Sequence, residues 1–250
     1  MARSLLVAPA AENVGLAMTC LGLLRALDRS GFHVAYVKPV AQPRADGTPD
    51  RSLALVAAVT GLQPPEPLST AELERQLGEG GLDIVLEKIV AAWEPICDLS
   101  DVVVVEGLGS GSSKLYASAL NQALARALDA DVLLAGNWPP DPDGVDSLAE
   151  QFAIAASGYT SGEHARVVGC VVHGLPATHP SARTPATALQ TALAGHGLRL
   201  IAGVPHRPEL TWLRVGDLVR ELNPKILHEG DLSRRIKDVA VFAQGIPGGI

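Results

Sequence analysis

The sequence predicts an α/β protein in which helices cover both faces of a doubly wound, mostly parallel sheet. Short apolar segments alternate with segments of helical periodicity through most of the chain, as in folds built from strand–helix–strand units. Two of the apolar segments, Asp101–Val105 and Asp131–Ala135, contain no polar residue after their first position. Such strands are typical of a parallel sheet that is buried on both faces.

Each predicted strand is a short apolar run that stops at proline, glycine or a polar residue. The predicted strands are Ser4–Ala8, His33–Val37, Asp101–Val105, Asp131–Ala135, Val167–Val172, Leu198–Val204 and, near the end of the chain, Val239–Phe242. Right-handed crossovers bring the carboxyl ends of parallel strands to one edge of the sheet. We therefore expect a ligand site in the loops that follow these strands.

The predicted helices carry apolar residues three and four positions apart, which is the spacing of one buried helix face. Caps mark some of their ends: Gly61 follows one helix, and Ser69 or Thr70 begins the next. The predicted helices are Val14–Leu27, Arg51–Thr60, a segment that begins at Ser69 or Thr70, Leu82–Trp93, Leu115–Leu128, Val145–Ala156, Pro185–Leu193 and Leu210–Leu222.

The composition limits the classes of function. Of the 250 residues, 47% are apolar and 19% charged, which provides a core and argues against wholesale disorder. A net charge of -7 argues against a nucleic-acid surface. Apolar runs are all too short for a membrane span. The three cysteines lie far apart, so we expect reduced, buried thiols in a cytoplasmic protein rather than disulfides or a zinc site.

The chain changes character near its end. Residues 1–224 form the predicted α/β domain, and a charged segment follows Asn223-Pro224. Residues 225–250 are predicted to be the start of a following middle domain, or a C-terminal extension, that is cut short.

The turn after the first strand carries the strongest signal for chemistry. A phosphate-binding loop needs small residues whose N–H groups wrap the phosphates, a lysine, and a hydroxyl that holds magnesium. Gly15 occupies the place of the glycine before that lysine, but Leu16 stands at the lysine position and Ala17 at the hydroxyl position. Ala10 or Ala11 stands where a glycine is usual, and Glu12 adds a negative charge.

This turn, completed by Asn13 and Val14, is therefore a degenerate ligand site or only a strand–helix turn. A lysine about 4 Å from a phosphate charge contributes roughly 4 kcal/mol of attraction at a partly screened site. Its loss predicts that ordinary ATP hydrolysis is absent.

Further candidates follow the other strands at the same sheet edge. Lys38 could neutralise a phosphate or carboxylate, and Glu106, with Gly107 after it, could hold a metal or its water. Alternatively, Lys38 and Glu106 form an ion pair that closes the edge. His173 is the best histidine candidate, although a loop histidine is more often structural.

Two loop segments are weaker candidates. Asp46 and Asp50 could be ligands or solvated turn residues. Residues Ser110–Ser113 could form an anion-binding nest or a flexible loop.

Several segments give the chain a family resemblance. The order of the phosphate loop, Lys38-Pro39-Val40 and Val105-Glu106-Gly107 resembles that of dethiobiotin synthetase-like P-loop NTPases. Val14-Gly15-Leu16 is similar to the N-terminal domain of long-form phosphate acetyltransferases, which has leucine at the lysine position. The further segments that match are Ala41-Gln42-Pro43-Arg44, Ser118–Asn121, Gly203-Val204-Pro205, Glu229-Gly230-Asp231 and Arg234–Lys237.

The resemblance implies a regulatory or assembly domain without catalysis of its own. Acetyl transfer between coenzyme A and phosphate would belong to a C-terminal domain of the same longer chain, and a homo-oligomer is expected. No cofactor is implied with certainty; a nucleotide or a small metabolite could act as effector. The alternatives are an ATP-dependent carboxylase or amide ligase of the dethiobiotin synthetase type, and a pure assembly module.

Overall fold

The computed structural model describes residues 2–42, 50–109, 116–139, 141, 144–160, 166–176, 184–210, 212–228 and 230–237. The chain divides into two compact units, Met1–Pro205 and His206–Ile250. This division precedes the boundary at residue 224 that the sequence suggests. Of the segments singled out above, Asp46, Ser110–Ser113 and Val239–Phe242 lie outside the described residues.

The first unit contains a six-stranded parallel sheet with the strand order β2-β3-β1-β4-β5-β6. Its strands are β1 (Arg3–Pro9), β2 (Val34–Val37), β3 (Val102–Glu106), β4 (Asp131–Asn137), β5 (Val167–Leu175) and β6 (Leu200–Pro205). Central β1 places Val7 beside Glu106 of β3 and Pro9 beside Ala135 of β4. The predicted doubly wound α/β fold is confirmed.

Helices lie on both faces of this sheet. They are α1 (Leu16–Arg29), α2 (Arg51–Thr60), α3 (Thr70–Gly78), α4 (Leu82–Cys97), α5 (Ala117–Ala127), α6 (Val145–Thr160) and α7 (Pro185–Gly195). Successive residues of β1 serve the two faces in turn, as strand geometry requires. Val7 packs with residues of α1 and α2, while Leu6 and Ala8 pack with residues of α4, α6 and α7.

Two predicted element boundaries are wrong. Helix α1 begins at Leu16 rather than at Val14, because Asn13 (φ 56°) and Gly15 (φ 67°) have left-handed backbone conformations. Strand β5 continues to Leu175, so His173 lies within a strand rather than in a loop.

The second unit contains little regular structure among its described residues. Strand β7 (Leu213–Arg214) pairs antiparallel with β8 (Arg235–Ile236), and α8 spans Val215–Leu222. The predicted helix over Leu210–Leu222 is therefore too long, because Leu213 and Arg214 are paired as a strand. No described residue after position 205 is buried.

Two further findings bear on the predicted class of protein. Cys20, Cys97 and Cys170 are all free and buried, as predicted. Among the described residues, no helix combines the length and the apolar character needed to cross a membrane.

Core packing gives a first prediction at Gly136 of β4. A Cβ atom at this position would lie 2.5 Å from Cζ of Phe152, a fully buried α6 residue. Gly136→Ala should destabilise the fold by about 1–3 kcal/mol because it overpacks the core, and Phe152→Leu in the same chain should recover part of the loss. Urea unfolding measures both effects.

Gly22→Ala is the matched control, since a Cβ atom at Gly22 in α1 would meet nothing within 4 Å. Alanine in a helix is about 0.5–1 kcal/mol more favourable than glycine. Equal unfolding midpoints for the two single variants would contradict the proposed packing at Gly136.

Candidate functional site

The loop between β1 and α1 has a shape that is set by its backbone. The N–H of Ala10 donates to the carbonyl oxygen of Ala135 at 2.8 Å, and the Asn137 side chain donates to the carbonyl oxygen of Asn13 at 3.0 Å. Gly15 precedes the helix in a left-handed conformation, which glycine adopts at little cost. The N-terminus of α1 is thus presented at the carboxyl edge of the sheet, as in a phosphate-binding loop.

The side chains of this loop supply no positive charge. Leu16 is 7% exposed and packs in an apolar cluster that includes Val14, Tyr36 and Val104. Ala17 and Ala11 are half-buried, and Glu12 is exposed. The residue at the lysine position therefore stabilises the core beneath α1, and the one ionisable side chain of the loop is an acid.

His173 lies against the first turn of α1. Its Nε2 atom is 2.7 Å from Oγ1 of Thr19, and its ring would be in ordinary contact, at 3.7 Å, with a Cβ atom on Gly15. The Thr19 hydroxyl also donates to the Gly15 carbonyl oxygen at 3.3 Å. Both contacts are satisfied when Nε2 carries a proton and donates to Thr19. Burial lowers the pKa of His173, which favours the neutral ring.

Lys38 lies just beyond β2 and is 2% exposed. Its Nζ atom donates to Oε1 of Glu106 at 2.8 Å and to Oγ of Ser52 at 2.9 Å. Its third contact is the carboxylate of Asp50, whose oxygens lie 3.0 and 3.1 Å away. An ammonium group has three donors, so all of its donor capacity is used. Lys38, Ser52, Asp50 and Glu106 are called the lysine cluster below.

Glu106 is held from two further directions. Tyr36 donates to its Oε2 atom at 2.6 Å, and the Ser52 hydroxyl donates to its Oε1 atom at 2.9 Å. Burial, followed by the charge of Glu106, raises the pKa of Tyr36 and that of the fully buried Cys20 thiol on α1. Both groups therefore remain protonated beside the carboxylate.

Asp50 is a buried helix cap, so the interpretation of it as a solvated turn residue is wrong. It is 8% exposed and accepts hydrogen bonds from the N–H groups of Ser52 and Gln42 at 2.9 and 2.8 Å. Burial alone would raise the pKa of Asp50. The hydrogen bonds from Gln42, Lys38 and Ser52 together outweigh burial and lower this pKa.

Gly107 has a structural role in packing β3 against β1. Its N–H donates to the carbonyl oxygen of Val7 at 2.9 Å, and a Cβ atom on Gly107 would lie 2.8 Å from the same oxygen. The buried amide of Asn121 holds the next residue, Leu108, through hydrogen bonds of 2.8 and 2.9 Å to its N–H and carbonyl oxygen. Glycine is therefore required here for close packing.

The predicted residues separate into two groups. Lys38 and Glu106 form a buried ion pair, which is the second of the two interpretations given above. His173 contacts the loop that begins α1. Sequence reasoning missed Thr19, Tyr36 and Ser52, although Tyr36 and Lys38 share one face of an extended chain by their spacing of two.

Comparisons with known proteins agree with this fold. A family model described as an AAA domain matches residues 3–214. The chain is 36% identical over 245 residues to a phosphate acetyltransferase of Pseudomonas putida, covering 96% of this chain and 35% of that protein. It is 31% identical over 265 residues to that of Haemophilus influenzae, covering 99% and 37%. The chain spans about a third of the length of these relatives.

Solved structures show the fold alone. The ATP complex of a Cyanothece McdA variant has a TM-score of 0.53 at 15% identity, covering 83% of this chain and 85% of that one. The signal recognition particle receptor FtsY of Elizabethkingia anophelis has a TM-score of 0.53 at 17% identity, covering 83% and 60%.

The contacts of the lysine cluster predict that removing its ammonium group strongly destabilises the fold. Lys38→Met leaves two buried carboxylates without their shared ammonium and should destabilise the chain by about 3–5 kcal/mol. Lys88→Met is the matched control, because Lys88 is 44% exposed and pairs with Glu72 on the surface. We expect a change below about 1 kcal/mol there. Similar losses for the two variants in urea unfolding would contradict the argument.

The lowered pKa of Asp50 predicts that the chain loses stability in acid. Because its pKa is lowered in the fold, the stabilisation is complete above the unfolded pKa of about 3.9 and is lost as the pH falls through the lower folded value. Asp50→Asn should reduce the stability at neutral pH and flatten its decline in acid. Unfolding free energies measured from pH 7 downwards test this; an unchanged slope for the variant would refute it.

Proposed function

We propose that this chain, which belongs to the AAA domain family whose model matches residues 3–214, is a non-catalytic regulatory and assembly domain of a phosphate acetyltransferase, the name that its relatives carry. In this proposal, acetyl transfer between acetyl-CoA and phosphate is carried out by another domain of the same longer chain. The relatives that carry this name are about three times as long as the part matched here.

One observation carries the non-catalytic part of the proposal: the phosphate loop has no cation. Leu16, at the lysine position, is buried in the apolar cluster beneath α1, and Ala17 has no hydroxyl for magnesium. A missing lysine forfeits roughly 4 kcal/mol of attraction to a phosphate at a partly screened site. Glu12 would add repulsion between its carboxylate and the phosphate.

The lysine cluster argues against the alternative ligase function. A ligase of the dethiobiotin synthetase type would need Lys38 to meet a phosphate or carboxylate of the reactants. Here Lys38 is 2% exposed, and all its donors are bound within the protein. Freeing it would leave Asp50 and Glu106 buried without a counter-charge, which is strongly unfavourable.

The loop itself still offers a weaker ligand site. The N–H groups at the start of α1 favour anions without any side-chain charge, and His173 lies beside them. We propose that residues Ala11–Ala17 and His173 contact an effector, a nucleotide or a small metabolite, whereas Lys38, Glu106 and Gly107 support the loop from beneath.

The second unit fits the start of a following middle domain. None of its described residues is buried, and Leu213, Leu222 and Leu227 are 52%, 70% and 88% exposed. A segment this small cannot form a stable core without further chain, a metal or a partner. We propose that residues from the adjoining part of the longer chain cover these leucines, and that the complete protein is a homo-oligomer.

ATP provides the direct test of the non-catalytic proposal. Titration calorimetry with ATP and Mg²⁺ should show no hydrolysis, and a phosphate-release assay should stay at background for the chain and for Lys38→Ala alike. Magnesium-dependent hydrolysis by the unchanged chain would overturn the proposal and restore the ligase alternative.

The regulatory role predicts separable effects in the longer protein. Deleting residues 1–224 should leave acetyl transfer measurable, since the reacting groups lie elsewhere, but should change its response to metabolites or the size of the assembly. Kinetics with candidate effectors and light scattering measure these properties. A deletion that alters neither property would refute both the regulatory and the assembly role.

A further inference from the structure

Two neighbouring strand ends hold the loop between β1 and α1. Asn137 of β4 and His173 of β5 are partners in the register of the sheet. Asn137 donates to the carbonyl oxygen of Asn13 at 3.0 Å. His173 contacts the hydroxyl of Thr19, and that hydroxyl donates to the carbonyl oxygen of Gly15. The loop is therefore held at two points that lie two residues apart.

The backbone at both points has a conformation that depends on such contacts. Asn13 and Gly15 have φ values of 56° and 67°. A left-handed conformation costs free energy in a residue that carries a side chain, and it persists only where the surrounding structure holds it. Loss of the contact at His173 should therefore let the loop and the first turn of α1 open more often.

The contact made by His173 suits a neutral ring. With its proton on Nε2, the ring donates to Thr19 across 2.7 Å, and the Thr19 hydroxyl remains free to donate to Gly15. A second proton, on Nδ1, makes the ring a cation. That cation would lie half-buried beside the N-terminus of α1, where the helix dipole disfavours positive charge.

Burial lowers the pKa of His173. The described residues that face the ring from α1, β4 and β6 carry no ionisable group; they are Gly15, Thr19, Asn137 and Val204. The acid of the loop, Glu12, is exposed. A released imidazole in water has a pKa of about 6.5, so the ring takes up a proton more readily once it has left its place.

We propose that His173 is an acid-sensitive latch, in which the neutral ring holds Thr19 and Gly15 in place and protonation of the ring releases the loop and the first turn of α1. Because the pKa is lower in the latched state than in the released state, the latch stabilises the turn fully above a pH of about 6.5 and loses this effect as the pH falls through the lower, latched value. The latch does not rest on the proposed regulatory function, since it requires neither an effector nor the rest of the longer chain.

Hydrogen exchange followed by ¹H–¹⁵N NMR tests the latch in the 250-residue chain. The N–H groups of Met18 and Thr19 both donate to the Gly15 carbonyl oxygen at 3.1 Å, so their protection factors report on the latched turn. These factors should fall roughly three- to tenfold between about pH 7.5 and about pH 5.5. The N–H of Gly107, which donates to Val7 of β1, should keep its protection. The ring of His173 should titrate below a pH of about 6.5.

Two variants separate the charge of the ring from its hydrogen bond. His173→Gln keeps an N–H donor for Thr19 but cannot titrate, so protection at Met18 and Thr19 should stay high at both pH values. Thr19→Val removes the acceptor and should give low protection at Met18 at both. His196→Gln is the matched control, because His196 is an exposed histidine that follows α7; it should leave the acid response unchanged.

Four results would each overturn the latch. They are protection at Met18 and Thr19 that does not change with pH, an equal loss of protection at Gly107, the same acid response in His173→Gln, and a His173 ring that titrates at or above a pH of about 6.5. An equal loss at Gly107 would mean that acid destabilises the whole fold instead of opening the turn. Failure of effectors to act on the longer protein would overturn the proposed function and leave the latch unaffected.

Discussion

The arrangement of β2, β3 and α2 at the edge of the sheet depends on the buried ammonium group of Lys38. It is shared by the carboxylates of Asp50 and Glu106 and by the Ser52 hydroxyl, so it joins the end of β2 to the start of α2 and the end of β3. Burying charges without partners costs several kcal/mol per ion even after relaxation. The three charged groups are therefore stable only together, and the surrounding N–H and O–H donors of Gln42 and Tyr36 balance the excess negative charge.

The chain keeps the shape of a phosphate-binding fold without the side chains that its chemistry would need. The strand order and the left-handed Gly15 place the N-terminus of α1 where a phosphate-binding fold places it. Neither of the two lysine side chains that would act on a phosphate is available. Leu16 stands at the position of the phosphate-loop lysine, and Lys38 is bound within the lysine cluster. In the proposed function, a ligand would meet backbone N–H groups at the loop and the ring of His173, and we propose that these suit weak, reversible recognition better than group transfer.

The two units differ in how far each can support itself. The first has continuous apolar clusters on both faces of its sheet, whereas the described residues of the second have none that are buried. Conformational entropy has to be offset by burial, and this supports the proposal that further chain covers the second unit. The length of the curated relatives is consistent with that interpretation.

The sequence by itself determined the α/β class, the positions of the main strands and helices, and the absence of a cation at Leu16, because apolar periodicity and residue type are local properties. It predicted that Lys38, Glu106 and His173 lie at one edge of the sheet, but it left their roles open. Only the tertiary structure decided that Lys38 and Glu106 bind each other, that Asp50 is buried, and that Thr19 meets His173. These contacts join residues as far apart as 154 positions in the chain, and their distances follow from how strands and helices pack, which no local pattern specifies.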